Sequence, residues 1–406
     1  MKAVIRYGVT ALALAALFVG TRGFLETVRG QAPAPASTLV APSFKVDPNW
    51  PKVPNGWIFG QASNVAVDFS NDHVWLLQRP DSRGCGGLTN EMRSKAAPPV
   101  LEFDNEGNFV QGWGGQAMVG LTGGIPYDWP WCEHGIHVDY KGFVWVAGRG
   151  DASPGSDNSL LKFTKAGKFV LQIGYRSQSK GNKDPENMNS PADMWVHPKS
   201  NEVFVADGYG NRRLIVYDAD SGKYKRMWGA FGNVPTDPAA GEKDPPDTEE
   251  AYAGLGPQQF VRPVHGITVS KDDLVYLSDR GGKRVQIFTL DGKYVNQIWV
   301  DRDCHAPACS NGNTAVNSPL SPDPEQKFMH AGARSTGRVW TFDRKTGQPL
   351  GFFGSFGKDP GQFDTLHGMA IDGKGNLFSA EVRTPGRFQK FVRQPDAPAA
   401  AARAAR

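Results

Sequence analysis

Apolar and polar residues alternate along most of this chain in short runs, and the runs come in fours. Between Gly266 and Val300 the pattern predicts four strands, Gly266–Ser270, Leu274–Ser278, Arg284–Thr289 and Tyr294–Val300, separated by turns. A phrase at the end of each such group sets the register. It is an aromatic residue, a turn ending in glycine, an aromatic or apolar residue, then an aromatic residue or Ile before a second glycine. Copies run from Phe103 to Gly114, Phe163 to Gly174, Tyr217 to Gly229 and Phe342 to Gly354, and Phe288 to Trp299 lacks the final glycine. The turn glycines Gly107, Gly167, Gly222, Gly292 and Gly347 stand 60, 55, 70 and 55 residues apart. Such a hairpin needs glycine for positive φ, and a period of this size marks a supersecondary unit repeated around an axis.

Four short antiparallel strands per unit make a propeller blade. Blades are expected at 60–114, 134–174, 192–229, 265–300, 318–354 and 367–393. The last has no outer strand after Phe391, and Ser43–Trp50 is expected to supply it, since closure removes exposed sheet edges. The predicted fold class is all-β, a six-bladed β-propeller of four-stranded antiparallel blades over residues 43–394. The pattern resembles the NHL-repeat propellers over about residues 45–393. That resemblance implies fold more than function.

Composition agrees: 48 glycines, 30 prolines and 11% aromatics suit a turn-rich all-β chain. The net charge is only +4, with no basic stripe interleaved with aromatics, which argues against a nucleic-acid partner. Residues 1–30 carry Lys2 and Arg6 and then an apolar stretch from Val9 to Val19, short for a membrane span. They are expected to be a secretory signal, cleaved at Ala32 or somewhat earlier, or an uncleaved N-terminal anchor, which alone would bring in a membrane. Residues 31–42 read as an Ala/Pro-rich linker and 395–406 as a disordered tail. A secreted or periplasmic location follows, and with it disulfides. Cys304 and Cys309 are expected to bridge within one loop, leaving Cys85 and Cys132 to pair across two.

Histidine is scarce, eight in 406 residues, yet it leads three strands in one recurring phrase. The copies are His134-Gly135-Ile136, His265-Gly266-Ile267 and His367-Gly368-Met369. Aligned on first strands, the leading position reads Ser63, His134, Ala192, His265, roughly Ser318 and His367. The histidines thus fall on alternate blades, and in a six-bladed ring these are 120° apart. Three imidazoles meeting on the axis with one side open is the arrangement of a catalytic zinc, although iron or another divalent ion would fit. The other histidines, His73, His137, His197, His305 and His330, are expected to be structural or solvated.

Second strands end in polar residues: Gln78-Arg79, Gly148-Arg149, Asp207-Gly208-Tyr209, Asp279-Arg280 and Glu381. They are expected on one rim, with Arg79, Arg149, Arg280 and Tyr209 around the metal, and Asp207 and Asp279 in salt bridges between blades. Cations beside a tyrosine favour the phenolate, the form a general base needs.

The His-led strands, the phrase from Val205 to Arg213 and Ser278-Asp279-Arg280 together resemble the peptidyl-α-hydroxyglycine α-amidating lyases. The resemblance implies a zinc held by His134, His265 and His367, a catalytic Tyr209, and active-site arginines at Arg280 and, on a weaker alignment, Arg79. It also implies a C–N lyase that splits a carboxylate-bearing α-hydroxyglycine-type carbinolamide into an amide and glyoxylate. The metal would act as a Lewis acid on the hydroxyl and the arginines would hold the carboxylate. Two departures stand out. The family puts an aspartate, which helps hold a structural calcium, directly after the third histidine, where this chain has Gly368, so the side-chain calcium ligand is missing. An insertion at 231–259, with six acidic residues and five prolines, suggests a lid or partner surface. Two other readings stay open: a non-enzymatic exported NHL propeller that binds a peptide, glycan or protein, and a metal-dependent lyase or hydrolase for another small molecule.

Overall fold

A computed structural model describes residues 37–80, 87–119, 126–150, 156–239, 242–305, 309 and 314–396. The expected signal, the first half of the linker, Cys85 and nearly all of the tail lie outside the described residues.

The chain enters with β1 (Phe44–Asp47). Blade one follows as β2 (Gln61–Asp68), β3 (His73–Arg79), β4 (Val100–Phe103) and β5 (Phe109–Trp113). Blade two is β6 (Glu133–Val138), β7 (Phe143–Gly148), β8 (Leu160–Thr164) and β9 (Phe169–Ile173). Blade three is β10 (Asp193–His197), β11 (Glu202–Asp207), β12 (Arg213–Asp218) and β13 (Tyr224–Trp228). Blade four is β14 (Val264–Val269), β15 (Leu274–Asp279), β16 (Arg284–Thr289) and β17 (Tyr294–Trp299). Blade five contributes β18 (Phe328–Ala333), β19 (Arg338–Asp343) and β20 (Pro349–Phe353). Blade six is β21 (Leu366–Ile371), β22 (Leu377–Glu381) and β23 (Arg387–Arg393). All pairings within blades are antiparallel, and β1 pairs with β23 in the order β1-β23-β22-β21. The N-terminal segment therefore closes the ring, as expected.

Blade five departs from the expected boundaries. Its innermost segment, 316–321, runs beside β18 with Val316 N–H bonded to Gly332 O (2.8 Å) and His330 N–H to Pro319 O (2.9 Å). Pro319 has no N–H to give the ladder. The regular sheet is therefore three-stranded, and the blade begins two residues before the expected Ser318.

The second strands are buried on both faces, as Val74-Trp75-Leu76-Leu77 and Val203-Phe204-Val205-Ala206 show. Each blade interface has its own apolar cluster. Leu76, Phe103 and Phe378 join blades one and six, Trp75 and Phe163 join one and two, and Val205 and Trp145 join two and three. Phe204 and Phe288 join three and four, Tyr276 and Phe342 join four and five, and Val339 and Phe391 join five and six. Burial of such side chains contributes roughly 1.5–3 kcal/mol each, and no interface is skipped. The turn glycine Gly167 has φ +77°, and a Cβ there would lie 2.8 Å from the Trp113 ring of the preceding blade.

Asp207 and Asp279 do form ion pairs, but within blades: Asp207 with its cross-strand partner Arg213 at 2.8 Å, and Asp279 with Arg284 at 2.9 Å. Glu381 repeats the device with Arg387 at 2.6 Å. The Arg213 guanidinium also donates to the carbonyls of Asn182, Asp184 and Asn187, tying the inter-blade loop to the rim.

Candidate metal centre and cationic rim

Each of the three strand-leading histidines occupies a β-bulge. The ladder register slips between Glu133 and Gly135, between Val264 and Gly266, and between Leu366 and Gly368, leaving the histidine unpaired between them. A bulge re-aims one side chain without ending the strand, and here it turns three imidazoles to the axis. Ser63 sits at the same slip in blade one, so the sequence alignment of first strands holds there.

The bulged histidines are braced by the intervening blades. Nδ1 of His134 bonds Ala192 O at 2.7 Å, Nδ1 of His265 bonds Val316 O at 2.7 Å, and Nδ1 of His367 bonds Ser63 O at 2.6 Å. The position equivalent to Ser63 and Ala192 in blade five is therefore Val316, not Ser318. A carbonyl only accepts, so each Nδ1 carries the proton and each Nε2 presents a lone pair. The glycine of the His-Gly phrase makes this possible. A Cβ at Gly135 would meet Ala192 O at 2.5 Å, one at Gly266 would meet Val316 O at 2.6 Å, and one at Gly368 would meet Asn64 Cα at 2.7 Å. Gly266→Ala is expected to cost about 1–3 kcal/mol by overpacking and to weaken metal binding about 10–100-fold by displacing the brace. Denaturant midpoints and metal titration measure the two effects.

The nitrogen atoms of His134, His265 and His367 lie within 4.8 Å of one another, the only such cluster of three metal-ligating side chains among the described residues. Nε2 of His265 and Nε2 of His367 are 3.2 Å apart. Bonds of about 2.0–2.1 Å at a tetrahedral centre would place neighbouring nitrogens roughly 3.3 Å apart. Two lone pairs at that separation repel unless a cation lies between them, so the donor set fits a divalent ion. Burial, together with the neighbouring imidazoles and arginines, holds all three well below the ordinary histidine pKa and keeps them neutral.

Tyr209 hangs over this cluster. Its hydroxyl lies 2.9 Å from His134 Nε2, 3.5 Å from His367 Nε2 and 3.2 Å from Arg280 Nη1, which donates to it. The Asp-Gly-Tyr-Gly phrase fits because Gly208 lies flat against the Val264 backbone and Gly210 against Asn189. Arg149 covers the ring at 4.4 Å from its centroid and Arg280 at 5.5 Å. Arg79 is buried, its Nε donating to Glu133 O (2.7 Å) and its Nη1 to Gln61 (2.8 Å). Burial lowers its pKa to about 10. The structure thus brings together His134, His265, His367, Tyr209, Arg280 and Arg79.

The sequence reading missed Arg334. It follows β18, which is the second strand of blade five once 316–321 is taken as the first. It occupies the rim position of Arg79, Arg149 and Arg280. The strand-end rule would have found it had Pro319 not disguised the inner segment.

The other histidines have partners elsewhere: His73 with Glu102, His197 with Asp273, His305 with Asp247, His330 with Thr341, and His137 with the Val196 N–H. The position where the resemblance implies a calcium-binding aspartate is Gly368. Asn64 fills the space beside Gly368 and donates to Asp193, whose other oxygen accepts from Asn317 (2.9 Å) and the Ile267 N–H (3.3 Å). Both oxygens of the Asp193 carboxylate are thus met by N–H donors. At the opposite end of the channel a 560 Å³ cavity is lined by Val67, Phe69, Trp195 and Ile371, and neither Tyr209 nor the three bulged histidines line it. Within the insertion, Tyr252 donates to Gly281 O, beside Arg280, and Asp244 pairs with Arg212 and Arg262.

No family model matches the chain. The chain is similar to two named groups of proteins. Over 253 residues it is 26% identical to human NHL repeat-containing protein 3, covering 61% of this chain and 57% of the relative. Over 352 residues it is 24% identical to peptidyl-α-hydroxyglycine α-amidating lyase 1 of Drosophila melanogaster, covering 82% and 56%. Over 255 residues it is 27% identical to peptidylglycine α-amidating monooxygenase of Rattus norvegicus, covering 59% and 22%. The chain thus matches little more than half the length of the first two relatives and less of the third. Both expected resemblances, to NHL-repeat proteins and to amidating lyases, are borne out.

Proposed function

We propose that this propeller is a metal-dependent C–N lyase that cleaves an N-acyl-α-hydroxyglycine to an amide and glyoxylate. The observation that carries the reading is the meeting of three bulged, carbonyl-braced histidines with Tyr209 and Arg280 at one end of the channel. The similarity to a named amidating lyase supports it. A divalent ion, zinc by the chemistry of three neutral imidazoles, would be held by His134, His265 and His367 and would supply Lewis-acid polarisation of the substrate hydroxyl.

The protein's own groups do the rest. Arg280 and Arg79 present guanidinium edges to the substrate carboxylate. Tyr209, with Arg280 donating to its oxygen, takes the hydroxyl proton. The carbon–nitrogen bond breaks, its electron pair goes to nitrogen, and the proton held by Tyr209 follows. The carbinol carbon becomes the aldehyde of glyoxylate and the nitrogen leaves as a primary amide, so atoms and charge balance.

Export fits the same reading. Cys304 and Cys309 are bridged, Cys132 is disulfide-bonded, and no free cysteine is present among the described residues. Disulfides persist in oxidising compartments.

Purified protein is expected to bind about one zinc per chain and to release glyoxylate from α-hydroxyhippurate. The similarity to NHL repeat-containing protein 3 supports a second reading, a partner-binding propeller. Bound metal with no glyoxylate from this compound would favour that reading, or a lyase for a different molecule.

A further inference from the structure

Behind the three histidines, lining the cavity at the other end of the channel, lies a second layer of three side chains. Asn64, Asp193 and Asn317 come from blades one, three and five, the blades without an axial histidine. Each directly follows a residue whose carbonyl braces a histidine: Ser63 holds His367, Ala192 holds His134 and Val316 holds His265. Each also packs against the glycine after a histidine. A Cβ would fall 2.7 Å from Asn64 Cα at Gly368, 3.1 Å from Asp193 Cα at Gly135 and 2.8 Å from Asn317 Cα at Gly266. The three side chains are buried and joined through Asp193. Asn64 Nδ2 donates to its Oδ1 (3.3 Å), while Asn317 Nδ2 (2.9 Å) and the Ile267 N–H of blade four (3.3 Å) donate to its Oδ2. Asn64 cannot turn its amide over without losing the Val65 N–H, which donates to its Oδ1 at 2.9 Å. A buried carboxylate is costly unless donors surround it. Here the donors come from the strands that carry the braces, so one acid ties those strands together across the axis.

We propose that Asp193 is a positioning residue for the metal centre: it fixes the spacing of the three bracing carbonyls and, through them, of the three Nε2 atoms. The proposal rests on the reading of His134, His265 and His367 as ligands of a divalent ion. Partners behind a metal ligand orient it and tune its affinity. In this chain those partners are backbone carbonyls of three separate blades, and Asp193 is the group that joins them. Its loss therefore reaches all three ligands at once.

The test compares zinc affinity, by competition with a chromophoric chelator, with the urea midpoint of the metal-free protein. Burial pushes the Asp193 carboxyl up to about 7, so the measurements are made at pH 8, where both oxygens accept. Asp193→Asn places an N–H2 where an oxygen accepted and leaves at least one N–H facing another in either orientation. It is expected to weaken zinc binding about 10–100-fold. The exchange variant, Asn64→Asp with Asp193→Asn, restores every bond. The amide at 193 then donates to the acid at 64 and still accepts from Asn317 and Ile267. Most of the lost affinity is expected to return. Zinc bound as tightly by Asp193→Asn as by the wild type, or weakly by a folded exchange variant, would overturn the proposal. Should the single variant fail to fold, the exchange variant decides alone. A rise in the metal-free midpoint on adding calcium, abolished by Asp193→Asn, would also overturn it, by making the carboxylate a cation ligand. No zinc bound by the wild type would remove the metal reading and this proposal with it, whereas equal affinities would remove this proposal alone.

Discussion

Tyr209→Phe is expected to lower glyoxylate release from α-hydroxyhippurate by about 10²–10⁴-fold, the usual contribution of a positioned acid–base group, with metal content unchanged. The substitution keeps the ring that lies under Arg149 and Arg280. It removes only the hydroxyl that faces His134, His367 and Arg280. None of the three histidine braces passes through Tyr209, since each runs from Nδ1 to a backbone carbonyl. Metal analysis and a glyoxylate assay on the same preparation separate the two effects. Turnover within a few-fold of wild type would remove the tyrosine from the chemistry, and loss of metal would make it a positioning residue.

His265→Ala is expected to reduce bound zinc from about one per chain to a small fraction and to abolish turnover with it. Removing an outer partner of a metal ligand already costs about 10–100-fold in affinity, and losing one of three ligands costs more. The variant also strands the Val316 carbonyl, which accepts the Nδ1 proton. His73→Asn is the control, because His73 pairs with Glu102 at the foot of β3, away from the axis. Equal zinc content in His265→Ala and His73→Asn would show that the triad is not the metal site.

Much of this architecture could be read along the chain. The turn glycines mark each unit, and the alternation of apolar residues marks the strands between them. Ser63, His134, His265 and His367 could be aligned because each precedes a similar apolar strand. Blade five was misread because Pro319 interrupts the inner strand, so β18 was not recognised as a second strand. With it went Val316 and Arg334. Asp207 is in an ion pair, as expected, but within its blade rather than between blades, because a cross-strand neighbour six residues away looks the same in sequence as a residue in the next blade.

By itself the sequence determined the repeat, the blade number, the closing segment and the identity of the three axial histidines. These depend on local periodicity and on which residue types recur at a fixed place. Only the tertiary structure decided how the histidines are held. Their acceptors lie 58, 51 and 304 residues away, on carbonyls of blades that lack the histidine. It also decided that each histidine rides on a bulge, that the following glycine is needed for the approach of a neighbouring backbone, and that Asn64 fills the space beside Gly368. A backbone carbonyl has no sequence signature, and a close approach between blades exists only once the ring is closed.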